Sequence, residues 1–261
     1  GFPTSLKLGF DPKEKQPDFL IINGAECEPY ITSDYRCFME EGEDVLEGVL
    51  LMLKYLGIPK CIIGIEKNKP KAIEKMTRLC EKHDNITVKP LKSSYPQGAE
   101  KTLIFSTTGR VVKEGTLPLA SGCIVINSST AAFIAQYIRT GMPLVKRRIT
   151  VDGNIVKKPS NFIVPVGMSI GEIVYYAELS DKPDRIILGG PMMGACAFDP
   201  DYPLSKTNNA VLMFADSPVY EPSECIRCGK CVTVCPHNAL KLDVTLKGKR
   251  RRGTRQEDAD A

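Results

Sequence analysis

The chain has 261 residues, 43% of them hydrophobic and 25% charged, with a formal net charge of +4. That profile allows about two domains at the usual ~100–200 residues each and excludes a largely disordered chain. No apolar run approaches the ~18–20 residues of a membrane-spanning helix. No basic-then-apolar leader opens the sequence either. Six of the 35 basic residues (Lys247, Lys249, Arg250, Arg251, Arg252, Arg255) and three acids (Glu257, Asp258, Asp260) lie in the last fifteen positions. Without them the balance is 29 basic against 28 acidic residues, so the excess charge belongs to a tail and points to no nucleic-acid partner.

Strand and helix signals alternate from Phe19 to about Gly141. Phe19–Ile22 is a continuous apolar run of the buried-strand kind. A helical stretch follows from Asp34, strongest over Glu43–Leu56, where Val45, Leu46, Val49, Leu50, Met52, Leu53 and Leu56 recur at helical spacing. Gly57 and Pro59 supply its stop. Cys61–Ile65 is predicted as a strand, Lys71–Lys82 as a helix, Ile86–Val88 as a strand and Gly98–Ser106 as a helix. A fourth strand, Cys123–Ile126, precedes a helix over Thr130–Arg139. Such alternation predicts an α/β fold with a Rossmann-like, doubly wound parallel sheet. After Pro143 the pattern changes. Arg148–Val151, Asp152-Gly153 and Asn154–Val156 spell a tight hairpin. Phe162–Val166 is a further strand, Ser169–Ala177 a short helix capped by Ser169, and Arg185–Leu188 another strand. The expected domains are therefore 1–143, 144–216 (an α+β module), 217–245 and a disordered charged tail over 246–261.

Ten cysteines carry more information than the charge. Six (Cys27, Cys37, Cys61, Cys80, Cys123, Cys196) are scattered like small core residues, which suits a reducing cytoplasmic compartment better than a disulfide framework. The other four, Cys225, Cys228, Cys231 and Cys235, are followed by Pro236 in the spacing of a bacterial ferredoxin motif. Thiolates two residues apart can wrap the corners of one 4Fe-4S cubane, and Gly229 lets the loop fold closely around it. Zinc sites usually come as two separated pairs instead. In two-cluster ferredoxins the fourth cysteine serves the other cluster, which would leave Cys225, Cys228 and Cys231 on one cubane and Cys235 on a second. His237 is expected to be a solvated or capping residue.

Ligands of open α/β sheets bind beyond the carboxyl ends of the strands, so the strand-to-helix turns are the places to inspect. The first is Asn23-Gly-Ala-Glu-Cys-Glu28, with two carboxylates that are either surface acids or site residues. The second is Tyr95-Pro-Gln-Gly98-Ala-Glu100, where Gly98 allows close backbone approach. The third, Asn127-Ser-Ser-Thr130, suits a phosphate at a helix N-terminus, although capping by Ser129 or Thr130 explains it equally well. Their shared position at strand ends predicts a phosphate-bearing cofactor.

Gly1-Phe-Pro-Thr-Ser-Leu-Lys7, Ile22 to Tyr30, Tyr95 to Leu103, Gly189-Gly-Pro-Met-Met-Gly194 and the Cys225–Pro236 run together resemble the C subunit of the Rnf electron-transport complex. The same core is similar to the flavin-bearing subunit of respiratory complex I, to cobalamin reductase and to a proline-reductase-associated protein. The resemblance covers about residues 1–245. It implies FMN in the first domain with NAD(H) stacked on it, and 4Fe-4S clusters, two in the intact family. By motif position Lys7, Asn23, Gly98, Asn127 and Thr130 would contact FMN. Glu28 and Glu100 would be the catalytic carboxylates near nicotinamide and flavin, and Phe2 and Phe10 would flank the dinucleotide. Cys225, Cys228, Cys231 and Cys235 would bind the metal. The module after residue 144 would be a ubiquitin-like β-grasp (SLBB) domain. The implied activity is ion-translocating ferredoxin:NAD oxidoreduction, with other proteins of the complex and ferredoxin as partners, at the cytoplasmic face of the bacterial plasma membrane. Only the last glycine of the family's Gly-rich loop stands before Phe2, and a second cysteine motif does not follow, so both ends are expected to be cut. A cobalamin reductase or proline-reductase-associated electron-transfer protein on the same scaffold is one alternative, and a fragment acting only as a non-catalytic partner-binding module is the second.

Overall fold

The computed structural model of the chain describes residues 4–11, 13 and 16–215. The cysteine run at 225–235, the charged tail and Phe2 lie outside the described residues. Four short strands, β1 (Phe19–Gly24), β2 (Lys60–Glu66), β3 (Ile86–Leu91) and β4 (Cys123–Asn127), form a sheet in the order β3-β2-β1-β4. Every pairing in it is parallel, with Phe19 beside both Lys60 and Cys123. Because side chains alternate across a strand, one set of residues faces each side. Leu20, Ile22, Ile124 and Ile126 pack under α2 (Ser33–Leu56), α3 (Pro70–Cys80) and α5 (Ser128–Thr140). Ile21, Cys123 and Val125 pack on the opposite face against Leu103 and Ile104 of α4 (Glu100–Thr108). A short α1 (Thr4–Leu8) precedes β1.

Helices α2 and α5 approach closely because their contact is built from small residues. A Cβ at Gly48 would lie 1.9 Å from the Ala131 carbonyl oxygen, so no side chain fits there. Gly57 ends α2 in the left-handed region (φ 64°), returning its N–H to Leu53 O, and Gly141 (φ 68°) ends α5 in the same way. None of the described helices is long and apolar enough to cross a membrane.

The second sheet is mixed, in the order β6-β5-β9-β7-β8. It contains β5 (Lys146–Asp152), β6 (Ser160–Pro165), β7 (Arg185–Leu188), β8 (Ala195–Ala197) and β9 (Ala210–Phe214), with α6 (Ile170–Ala177) after β6. Its first strand pairs parallel with its last, and the other pairings are antiparallel, a β-grasp arrangement. Ile149, Val151, Val211 and Met213 pack on Ile170 and Ile173 of α6. Ser169 caps α6 in a reciprocal box with Glu172, as its sequence predicts. On the other face Leu212 and Ala210 meet Ile31 from the β1–α2 connection, and the Tyr30 and Phe214 rings stand edge to face at 5.3 Å.

Two local expectations are corrected. Asn154–Val156 is not the second strand of a tight hairpin; β5 pairs instead with β6, Val151 opposite Ser160. The reason is that Gly153 (φ 136°) is pressed onto β9, where a Cβ would lie 1.9 Å from the Met213 oxygen. Asn154 bonds both backbone groups of Ala215, and these contacts pin the turn to β9. Nor do Ser129 or Thr130 cap α5: the cap is Asn127, whose Oδ1 accepts from the Ser129 N–H at 3.0 Å. Strands β8 and β9 and helix α1 are absent from the sequence-based elements.

Candidate functional site

The strand order reverses between β1 and β4, so a crevice opens beyond their carboxyl ends, where open α/β sheets bind ligands. Three connections meet there. Asn23, near the end of β1, folds its own turn by accepting from Ala25 N–H at 3.1 Å and donates to Gly98 O at 2.9 Å. Gly98 returns its N–H to Cys27 Sγ at 3.3 Å. A Cβ at Gly98 would stand 2.4 Å from Ala25 O, so these two turns touch only because residue 98 has no side chain.

From the β4 side, Asn127 Nδ2 donates to Asp34 Oδ2 at 2.9 Å and Ser129 Oγ donates to Asp34 Oδ1 at 3.2 Å. Asp34 sits in the first turn of α2, where Glu26 caps it, accepting from Asp34 N–H at 2.8 Å and Tyr35 N–H at 3.3 Å. Burial raises the Glu26 pKa from its ordinary 4.5 to about 7, helped by the neighbouring Asp34 charge. Burial also raises Asp34, against the bonds from Asn127 and Ser129 and the nearby Arg147. Glu26 and Asp34 form a buried carboxyl pair, both held above the usual carboxylate range, behind the α5 N-terminus.

A cleft of about 900 Å³ runs from this N-terminus to the edge of the second sheet. Lys7, Asn127, Ser129 and Thr130 line one side, and Lys146, Arg147, Arg148 and Lys206 line the other. Arg148 is held by Glu40 and Glu41 of α2, each at 2.6 Å, yet its buried Nε has no hydrogen-bond partner. Arg147 donates to Asn208 O. Burial lowers its guanidinium pKa while Asp34 holds it up. Lys7 donates to Val125 O at 3.1 Å and pairs with Glu100 at the start of α4, which ties α1 to the sheet.

The sequence-predicted residues divide by place. Lys7, Asn127 and Thr130 share the cleft, while Asn23 and Gly98 join each other behind it. Glu100 reaches the group through Lys7. Glu28 turns to the second sheet, where Oε2 accepts from the N–H groups of Met192 (2.8 Å) and Met193 (3.3 Å). Phe10 is half-buried against the first core. Among the described residues no group of three or more His, Cys, Asp or Glu is placed to hold a metal ion. Sequence reasoning offered Glu26 only as one of two carboxylates in the first turn, and passed over Asp34 and the basic wall of the cleft. The Lys146-Arg147-Arg148 run was the available signal for the last.

Residues 1–136, just over half of the chain, match the Nuo51 FMN-binding domain. The chain belongs to that family. Residues 218–241 match the 4Fe-4S binding domain and contain all four cysteines of the run. The chain is 39% identical over 252 residues to the C subunit of the Na(+)-translocating ferredoxin:NAD(+) oxidoreductase complex of Acetobacterium woodii, a match spanning 95% of this chain and 57% of that protein. It is 40% identical over 252 residues to the proton-translocating counterpart of Clostridium ljungdahlii, spanning 95% of this chain and 55% of that one. The chain thus spans little more than half the length of these relatives. A NAD+-reducing [NiFe]-hydrogenase shares the fold, with a TM-score of 0.68 and 20% identity over 82% of this chain and 43% of that chain.

The cleft fits the family's flavin. Its volume is in the range of cofactor pockets, about 300–1,000 Å³. A helix N-terminus faces a cationic wall, as a phosphate ester requires. Arg148 lines the same cleft, and its buried Nε is a donor without a hydrogen-bond partner.

Proposed function

We propose that this chain is the NAD(H)-linked electron-transfer part of a ferredoxin:NAD oxidoreductase of the Rnf type. When bound, FMN supplies the exchange between two-electron nicotinamide chemistry and one-electron iron–sulfur carriers. The chain's own residues hold and orient it. Thr130 and the α5 N-terminus receive the phosphate, Asn127 fixes that terminus, and Lys7 with the Lys146–Arg148 wall neutralises the charge. Asn23 and Gly98 hold the two neighbouring turns against each other and would support the flavin from there. Glu28 and Glu100 approach nicotinamide and flavin, and Phe2 and Phe10 flank the dinucleotide. Cys225, Cys228 and Cys231 bind one 4Fe-4S cluster, and Cys235 serves a second.

The observation that carries this reading is the cleft at the strand-order reversal, with an Asn-capped helix N-terminus opposite four cationic side chains. The names of the relatives support extending it to ferredoxin, to NAD and to the other subunits of an ion-translocating complex, and the proposal includes a peripheral position for this chain at the cytoplasmic face of the membrane. The test is NADH-dependent reduction of ferredoxin, or its reverse, by membranes carrying the complex with Lys7→Ala or Thr130→Val in this chain. Both variants should lose flavin and turnover together. Full flavin content and wild-type turnover in both would overturn the assignment of this cleft.

A further inference from the structure

The Gly189-Gly-Pro-Met-Met-Gly194 segment joins β7 to β8 and is held at both ends. Gly189 N–H donates to Ala210 O of β9 at 2.8 Å, and Gly194 N–H closes the turn on Gly190 O at 2.7 Å. Gly189 lies at φ 103°, and a Cβ at Gly194 would come within 2.5 Å of both Gly190 O and the Ile187 side chain. The turn is therefore stiff. The Met192 and Met193 side chains point outward, 54% and 76% exposed, while their N–H groups point inward. Successive inward amides make an anion-holding concavity, and its occupant is Glu28. A Cβ at Gly190 would lie 2.0 Å from Glu28 Oε2 and 2.3 Å from its Cδ, so the carboxylate fits only because residue 190 is glycine.

Both amides bond the same oxygen, Oε2. Oε1 has no hydrogen-bond partner among the described residues and stays able to accept from a ligand N–H. We propose that the 189–194 turn is a positioning element of the nicotinamide site: its two amides fix Glu28 so that Oε1 accepts from the carboxamide of the bound dinucleotide. The β-grasp sheet thereby sets the affinity of the first domain for NADH. This rests on the reading that Glu28 faces the nicotinamide. Held by two charge-assisted bonds, the carboxylate is oriented before the ligand arrives, which lowers the cost of ordering it on binding.

The experiment uses the full chain loaded with FMN, and measures NADH-dependent ferricyanide reduction, FMN affinity and thermal melting for wild type, Glu28→Gln, Glu28→Asp and Gly190→Ala. Aspartate keeps the charge but cannot span the distance to the amides; the methyl group added by Gly190→Ala takes the carboxylate's place. Both should raise KM for NADH about tenfold or more, with a smaller change in kcat and FMN affinity within about twofold of wild type. A wild-type KM in Gly190→Ala, alongside an impaired Glu28→Gln, overturns the positioning role. A wild-type KM in Glu28→Gln overturns the reading of Glu28 itself. Should Gly190→Ala not fold, Glu28→Asp decides alone, and a wild-type KM there overturns the proposal.

Discussion

Asn127 joins the two halves of the candidate site, and its replacement has a consequence whose size and pH dependence follow from geometry. Its Oδ1 caps α5 through Ser129 N–H (3.0 Å), and its Nδ2 donates to Asp34 (2.9 Å). Asn127→Ala loses the cap, about 0.5–2 kcal/mol. It also strips a buried carboxylate of a donor, about 1–3 kcal/mol. The expected destabilisation is about 1.5–5 kcal/mol by urea unfolding. Asn127→Asp keeps the cap but sets a second carboxylate against Asp34. Burial already holds the Asp34 pKa above the ordinary carboxylate range, and a neighbouring negative charge raises it further. A folded-state pKa above the unfolded one contributes stability that is present at low pH and lost as pH rises through the folded value. Asn127→Asp should therefore lie nearer wild type at acid pH, where the two carboxyl groups can share a proton, than at about pH 8, where it should be at least as unstable as Asn127→Ala. Wild-type stability of Asn127→Asp at the higher pH, or no change between the two, would refute the buried-pair reasoning.

Other outcomes follow from the same contacts. Glu26, raised to about 7, favours the fold below 4.5 and loses that contribution as pH climbs toward 7, so melting temperature should fall across this window. Glu26→Gln should flatten that fall, removing pH dependence on the order of 3 kcal/mol; an unchanged slope would discount the pair. Gly48→Ala must part α2 from α5, since its Cβ would lie 1.9 Å from Ala131 O. Overpacking of about 1–3 kcal/mol outweighs the helix-propensity gain of up to about 1 kcal/mol, giving lower stability in denaturant melts and weaker FMN binding. Reversing Lys146 and Lys206 to Glu should weaken FMN about tenfold and leave riboflavin unaffected, with wild-type FMN affinity falling as salt screens the wall. Equal losses for both flavins would remove these lysines from the phosphate.

The parallel sheet was readable because its strands are short, buried apolar runs such as Phe19–Ile22 and Cys61–Ile65, punctuated by glycines that end the helices. The crevice turns were readable too, since each follows or precedes a strand. Strand β9 was not: Ala210 pairs with Thr150, sixty positions earlier, and no local periodicity encodes that partner. The Asp152-Gly153 pair misled for the same reason, because its glycine answers to the crowding of Met213 rather than to a hairpin. Lys146, Arg147 and Arg148 stood in the sequence as charges at the start of a strand. Only the return of β5 alongside the α5 N-terminus makes them a wall. Glu28 was legible as a carboxylate in the first turn, and its partners Met192 and Met193 were legible only as a motif without a task.

Anaerobic titration of the FMN-loaded 261-residue chain with NADH tests the central claim most directly. The account predicts stoichiometric bleaching of the flavin absorbance, lost when Lys7 and Thr130 are replaced. A folded chain that binds no FMN, or whose flavin keeps its absorbance in excess NADH, would contradict it.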